Sequence, residues 1–230
     1  MSTEGPVDRL IDAGVFEAAG GDELRLAAEF RETVDDHRET LADRDPEDAR
    51  ESVAALTGDE DAATALCEAA RVDPALLARY VAVRERVDDL TPGETLALAV
   101  VVGHLEDGRP RDDGSPDAFL PVYGDELVDL VALSPRCVVY AWREDCPPCD
   151  AVRGDFDAMF ADGAPDDVML LAVYGPDCPR LLDEEFDVVG APTTLFTLEG
   201  SVDSRLTGAR PREAYERELE TLRERTLPSA

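Results

Sequence analysis

Five cysteines and two histidines are the side chains of this 230-residue chain best suited to nucleophilic, redox or metal chemistry. Two of the cysteines stand together in Cys146-Pro147-Pro148-Cys149. The run Val138–Trp142 ahead of them is β-branched and aromatic and reads as a buried strand. Behind them Val152, Phe156, Met159 and Phe160 recur at three- and four-residue steps, which predicts a helix from Pro147 to about Phe160. A strand feeding a CxxC that opens a helix is a redox context rather than a zinc-ribbon one. Cys146 falls at or near the N-cap, with Pro147 at the first helical position, where the missing N–H would be an orphan in any case. The free N–H groups and the positive end of the helix dipole favour a thiolate at Cys146. Cys149 lies one turn on, placed to resolve a mixed disulfide formed on Cys146. Cys146 is expected at the surface and ahead of the other cysteines in reactivity.

Two other readings of the pair are a half zinc site and an inert structural bridge. Zinc needs two further ligands, and the nearby candidates, Cys137 and Cys178, belong to no second CxxC. Cys178 follows the third strand of this half at the same sheet edge, which makes it a candidate third redox thiol against a bystander. Cys137 begins a buried strand and reads as inert, and Cys67 as a small core residue. His37 shares a face with Phe30, Val34 and Leu41, the pattern of a core or boundary histidine rather than a ligand.

The elements that must position these residues lie in the second half. Strands are expected at Phe119–Tyr123, Cys137–Trp142, Val168–Tyr174, Thr193–Leu198 and Val202–Leu206, the last two joined by Glu199-Gly200. Helices are expected at Asp125–Leu133, Pro147 to about Phe160, Leu181–Phe186 and Pro211–Leu222. Residues 1–107 read as all helix. A helix with Ala27, Phe30, Val34 and Leu41 on one face starts near Gly21, Asp45-Pro46 and Asp73-Pro74 open two more, and Thr91-Pro92-Gly93-Glu94 has capping-box spacing. The helix after it is apolar on most faces and reads as the centre of a bundle. Between the halves, residues 108–117 are rich in glycine, proline and charge and read as a linker before a second domain at 118–230.

The chain carries 53 acidic and 22 basic residues, a net charge of −31, and every basic residue is arginine. Residues 1–117 hold 30 acidic and 12 basic side chains and residues 118–230 hold 23 and 10, so the acidity is dispersed rather than a tail. That pattern resembles proteins working in molar salt, where a Debye length of ~3 Å screens the self-repulsion; the alternative is an acidic protein with a basic partner. No basic patch supports nucleic-acid binding. With 44% hydrophobic residues and clear periodicity, disorder is excluded. Met1–Asp12 has no apolar leader and no run is long enough to span a bilayer, so a cytoplasmic location without a membrane partner is expected.

From about Phe119 to the end, the chain resembles the thioredoxin family. Trp142, four residues before Cys146, matches that family's tryptophan, Gly190-Ala191-Pro192-Thr193 its cis-proline loop, and Gly208 a glycine before its last helix. The order of strands and helices agrees. The resemblance implies an α/β thioredoxin-like fold behind an all-α domain, with Cys146 attacking a substrate disulfide and Cys149 resolving. Trp142, Pro148, Ala191, Pro192 and Gly208 would form the docking surface. It implies protein disulfides as substrates, a reductase or low-molecular-weight thiol as reducing partner, and no cofactor. A redox-sensing or partner-binding module with the helical domain as output is the second reading. Three positions depart from the family: Tyr140 replaces a buried aspartate, Asp145 a tryptophan, and Pro147-Pro148 the commoner glycine-proline.

Overall fold

Sharp helix-start and turn signals punctuate the chain, whose elements pack as two units, Met1–Gly108 and Arg109–Ala230. The computed structural model describes residues 11, 13–20, 23–42, 46–57, 60–69, 73–87 and 89–227.

The first unit is helical, with α1 (Ala28–Ala42), α2 (Pro46–Thr57), α3 (Glu60–Ala69), α4 (Pro74–Arg86) and α5 (Pro92–Asp107). Asp73 caps α4 by accepting the Ala75 N–H at 2.9 Å, and Thr91 with Glu94 forms a complete capping box on α5. Phe30 and Val34 of α1 are buried against Ala78, Ala82 and Val83 of α4 and Leu98 and Val102 of α5. The expected helix start fails locally. Gly21 and Asp45 lie outside the described residues, as does Met1–Asp12 apart from Ile11. In place of helix, β1 (Phe16–Gly20) and β2 (Glu23–Leu26) form an antiparallel hairpin ahead of α1. The period of two in Glu23-Leu24-Arg25-Leu26 prevails there over the helical spacing, and the paired Phe16 and Leu26 are both buried in the core. His37 bonds Glu85 at 2.9 Å, as a boundary histidine does.

The second unit holds β3 (Leu120–Val122), α6 (Gly124–Leu133), β4 (Arg136–Trp142), α7 (Pro147–Met159), β5 (Met169–Tyr174), α8 (Pro179–Phe186), β6 (Thr193–Leu198), β7 (Ser201–Thr207) and α9 (Arg212–Glu224). Its five-stranded sheet has the order β3-β5-β4-β6-β7. The first three strands in that order run parallel; β6 is antiparallel to β4, and β7 to β6. This is the expected α/β thioredoxin-like fold. Glu199 and Gly200, at φ +48° and +76°, make the tight turn between β6 and β7, a geometry glycine adopts without strain.

The central strand β4 is buried along nearly its whole length. Alternation sends Val138, Tyr140 and Trp142 into one cluster with Val152 and Phe156 of α7 and Tyr215 and Leu222 of α9. Phe119, just before β3, wedges between Phe156 and Tyr140 with ring centroids 4.9 and 6.4 Å away. Aromatic pairs of this kind add about 0.5–1.5 kcal/mol each beyond the area they bury. The packing fixes α7, and with it the cysteines at its start, against the end of β4. Among the described residues, no helix is long and apolar enough to cross a membrane.

Candidate active site

Strand β4 ends at Trp142, and three exposed residues, Arg143, Glu144 and Asp145, turn the chain into α7. Asp145 takes the left-handed conformation, φ +49°, which Asp tolerates better than most residues. Cys146 is then the N-cap, in non-helical backbone, and Pro147 opens the helix. The Cys149 N–H donates to Cys146 Sγ at 3.2 Å. A sulfur atom thus stands where capping oxygens usually do, facing the N–H groups that favour negative charge.

Cys146 and Cys149 are joined in a disulfide with Cα atoms 5.2 Å apart. Both are buried, at 4% and 3% exposure, so the surface position expected for Cys146 is corrected. The Ala191 carbonyl oxygen lies 4.0 Å from Cys146 Sγ. Ala191–Pro192 is a cis peptide. Thr193 Oγ1 donates to the Gly190 carbonyl at 2.7 Å, and the Gly208 N–H to the Pro192 carbonyl at 2.8 Å. Cys146, Ala191, Pro192 and Gly208, up to 62 positions apart in sequence, are therefore brought to one place. Pro148 is exposed on the first turn of α7.

Trp142 is buried at the end of β4, its ring centroid 4.8 Å from that of Tyr174. Tyr140 donates its hydroxyl to the Cys149 carbonyl at 2.8 Å and pins the first turn of α7. Burial pushes the Tyr140 phenol well above its ordinary pKa, so it stays protonated and offers Cys149 no base. Cys137 is fully buried and its thiol is pushed up to about 11, chiefly by burial, as an inert core thiol should be. Cys178, at the start of α8, packs against Gly124 and approaches the Tyr174 carbonyl at 3.9 Å. Burial, then Asp177 and Asp125, raise its pKa. No described contact joins it to Cys146 or Cys149. Among the described residues, no group of three or more His, Cys, Asp or Glu is placed to hold a metal ion.

One contributor escaped the sequence reading. Residues 109–117 lie as an ordered strap over Trp142. A side chain at Gly114 would collide with the indole ring. Arg111 pairs with Glu144 and Asp113 and sits 4.5 Å over the Tyr174 ring. Arg153 of α7 donates to the Asp113 carbonyl at 2.8 Å, and the Asp117 N–H reaches Asp157 at 2.9 Å. Most of these partners are remote in sequence, beyond any local pattern. Two clefts flank the disulfide. One, of about 270 Å³, runs between the strap at Asp113-Gly114 and Trp142, Glu144, Asp145, Cys149 and Asp150. The other, of about 370 Å³, runs between the end of β4, the start of α8 and Val188–Ala191.

No protein-family model matches the chain, and no curated protein matches it. Solved structures similar to it include oxidized mitochondrial thioredoxin 3 from Saccharomyces cerevisiae, at 17% identity and a TM-score of 0.40, covering 45% of this chain and 94% of that one. A cysteine-to-serine mutant of a thioredoxin from Entamoeba histolytica is 20% identical with a TM-score of 0.40, over 45% and 99%. A point mutant of a thioredoxin from Halobacterium salinarum NRC-1 is 16% identical with a TM-score of 0.40, over 49% and 98%. Likeness at these identities bears on fold alone; the thioredoxin-like assignment of the second unit rests on its strand order and directions.

Proposed function

We propose that the second unit is a thiol–disulfide oxidoreductase of the thioredoxin type, acting on protein disulfides through its Cys146-Pro147-Pro148-Cys149 site. The observation that carries this reading is the disulfide at the start of α7, with the Cys149 N–H donated to Cys146 Sγ. In the dithiol form that N–H and the helix end stabilise a thiolate at Cys146. The thiolate attacks one sulfur of the substrate; the substrate S–S bond breaks, its second sulfur leaves as a thiolate, and a mixed disulfide joins substrate to Cys146. The Cys149 thiol loses its proton and attacks Cys146 Sγ. The mixed disulfide breaks, the substrate leaves as a dithiol, and the site becomes the disulfide. Two electrons pass to the substrate, and a reductase or small thiol returns them to the site. Trp142, Pro148, Ala191, Pro192 and Gly208 shape the surface on which the substrate docks, and the helical unit selects the partner.

Tyr140 favours a second reading. With no buried acid to take the Cys149 proton, resolution is slow, and a slow CxxC serves a redox sensor whose helical unit carries the output. Insulin reduction by dithiothreitol in molar KCl separates the two. The enzyme reading requires turnover that Cys146→Ser removes; a wild type no faster than dithiothreitol alone leaves the sensor.

A further inference from the structure

The cleft of about 370 Å³ beside the disulfide is lined mainly by apolar groups, among them Pro179, Leu182, Val188 and Val189. Val189 is 84% exposed, an unusual exposure for an aliphatic side chain in so charged a chain. It stands two residues before Ala191, whose carbonyl faces Cys146 Sγ. Arg143, three residues before Cys146, also lines this cleft.

The charges around Arg143 set it apart. Three other arginines are occupied: Arg111 with Glu144 and Asp113, Arg180 with Glu184 at 3.6 Å, and Arg205 with Asp187 at 2.8 Å. Arg143 is exposed and makes no ion pair among the described residues. The carboxylate nearest to it in sequence, Glu144, is taken up by Arg111 of the strap. Arg143 also borders the smaller cleft, where Asp145 and Asp150 remain exposed without pairing with it. Asp183, the one carboxylate lining the apolar cleft, lies in the middle of α8. The cleft thus offers an aliphatic contact at Val189 and an arginine three residues before Cys146. A guanidinium is suited to a carboxylate, which it binds through two parallel N–H donors.

Resting on the oxidoreductase reading, we infer that this cleft selects substrate segments in which a carboxylate side chain lies within two positions of the reacting cysteine, next to an aliphatic residue, and that Arg143 is the specificity-determining residue. A solvent-exposed pair of this kind is worth about 0.2–1 kcal/mol, a preference of about 1.4- to 5-fold. Like any exposed ion pair it weakens as salt rises, so the peptides are compared at one fixed KCl concentration.

The test uses the full chain and a panel of disulfide-linked peptides. Each peptide carries one valine beside the cysteine and Glu, Gln or Lys at one of the two positions on either side. The expected order of kcat/KM at the best position is Glu above Gln above Lys. Arg143→Glu should reverse it, whereas Arg217→Glu on α9, with the same change in net charge, should preserve it. Equal rates for all three peptides with wild type, or an unchanged order in Arg143→Glu, overturn the inference and leave the oxidoreductase reading standing. If wild type reduces neither these peptides nor insulin, both fall.

Discussion

Helices α4 and α7 open in the same way and end up doing opposite work. Each begins with a polar cap followed by proline, Asp73-Pro74 in the first unit and Cys146-Pro147 in the second. Each cap atom accepts a backbone N–H of the first turn, the Asp73 carboxylate from Ala75 and the Cys146 sulfur from Cys149. Asp73 is consumed by structure. It also holds Arg79 at 2.6 Å, and Arg79 lies buried over Gly103, where any side chain would collide with it. The Cys146 sulfur is bonded to Cys149 and also approaches the Ala191 carbonyl. A helix N-terminus favours a negative group in both places. A carboxylate there becomes part of the scaffold, whereas a sulfur there is, on the proposed function, the reactive atom.

Cys146→Ser should take disulfide turnover to background while the reduced protein keeps its melting temperature, because serine is itself a good cap. Asp73→Ala should do the reverse. It leaves Arg79 buried with Asp107 at 3.8 Å and the Ala75 carbonyl at 3.3 Å as its partners, and stranding one member of such a pair costs about 3–5 kcal/mol. The lower end is expected here, read by denaturant unfolding, with turnover per folded molecule unchanged. Loss of turnover in Asp73→Ala at temperatures where it remains folded would tie the first unit to the chemistry.

Salt sharpens the contrast between scaffold and surface. With −31 of dispersed charge, unfolding monitored by circular dichroism should move to higher temperature as KCl rises to molar concentration. A melting temperature independent of salt contradicts the reading. A smaller effect is expected from the strap. Gly114→Leu places a side chain where the Trp142 ring lies, an overpacking worth about 1–3 kcal/mol. Trp142 is the single tryptophan of the chain, so its fluorescence should shift in the variant. An unchanged spectrum would mean that the strap does not hold the ring.

The smallest effect is a pH dependence in α6. Burial, followed by Asp125 and Glu126, raises the Asp129 carboxyl to about 6. The folded state therefore binds this proton more tightly than the unfolded chain does, and its contribution to stability falls as pH rises from about 4 to 6. Asp129→Asn removes that penalty, so its melting temperature should exceed that of wild type above pH 7, the difference closing towards pH 4. A constant difference across that range would show that the carboxyl titrates normally.

Elements with a local cause were legible in the sequence. The caps at Asp73 and Thr91, the alternation in β4 and the glycine turn at Gly200 each act within a few residues. The CxxC at a helix start was legible for the same reason. What was missed depends on distant partners. Glu23–Leu26 becomes a strand through pairing with Phe16–Gly20, which helical spacing does not register. Arg111 and Gly114 looked like linker because their composition is that of a loop, and their purpose lies in Trp142, Glu144 and Tyr174. Cys146 was expected at the surface, yet it is buried, and Ala191, whose carbonyl approaches its sulfur, follows 45 positions later.

If the sulfur capping α7 is the attacking atom, a covalent intermediate can be trapped on it. Reduced Cys149→Ser and Cys146→Ser proteins would each be incubated with insulin and analysed by non-reducing mass spectrometry with peptide mapping. Cys149→Ser should accumulate a mixed disulfide between Cys146 and an insulin chain, because attack proceeds and resolution does not, while Cys146→Ser accumulates none. An adduct on Cys149 in Cys146→Ser, with none in Cys149→Ser, would contradict the account and move the attack to the second cysteine.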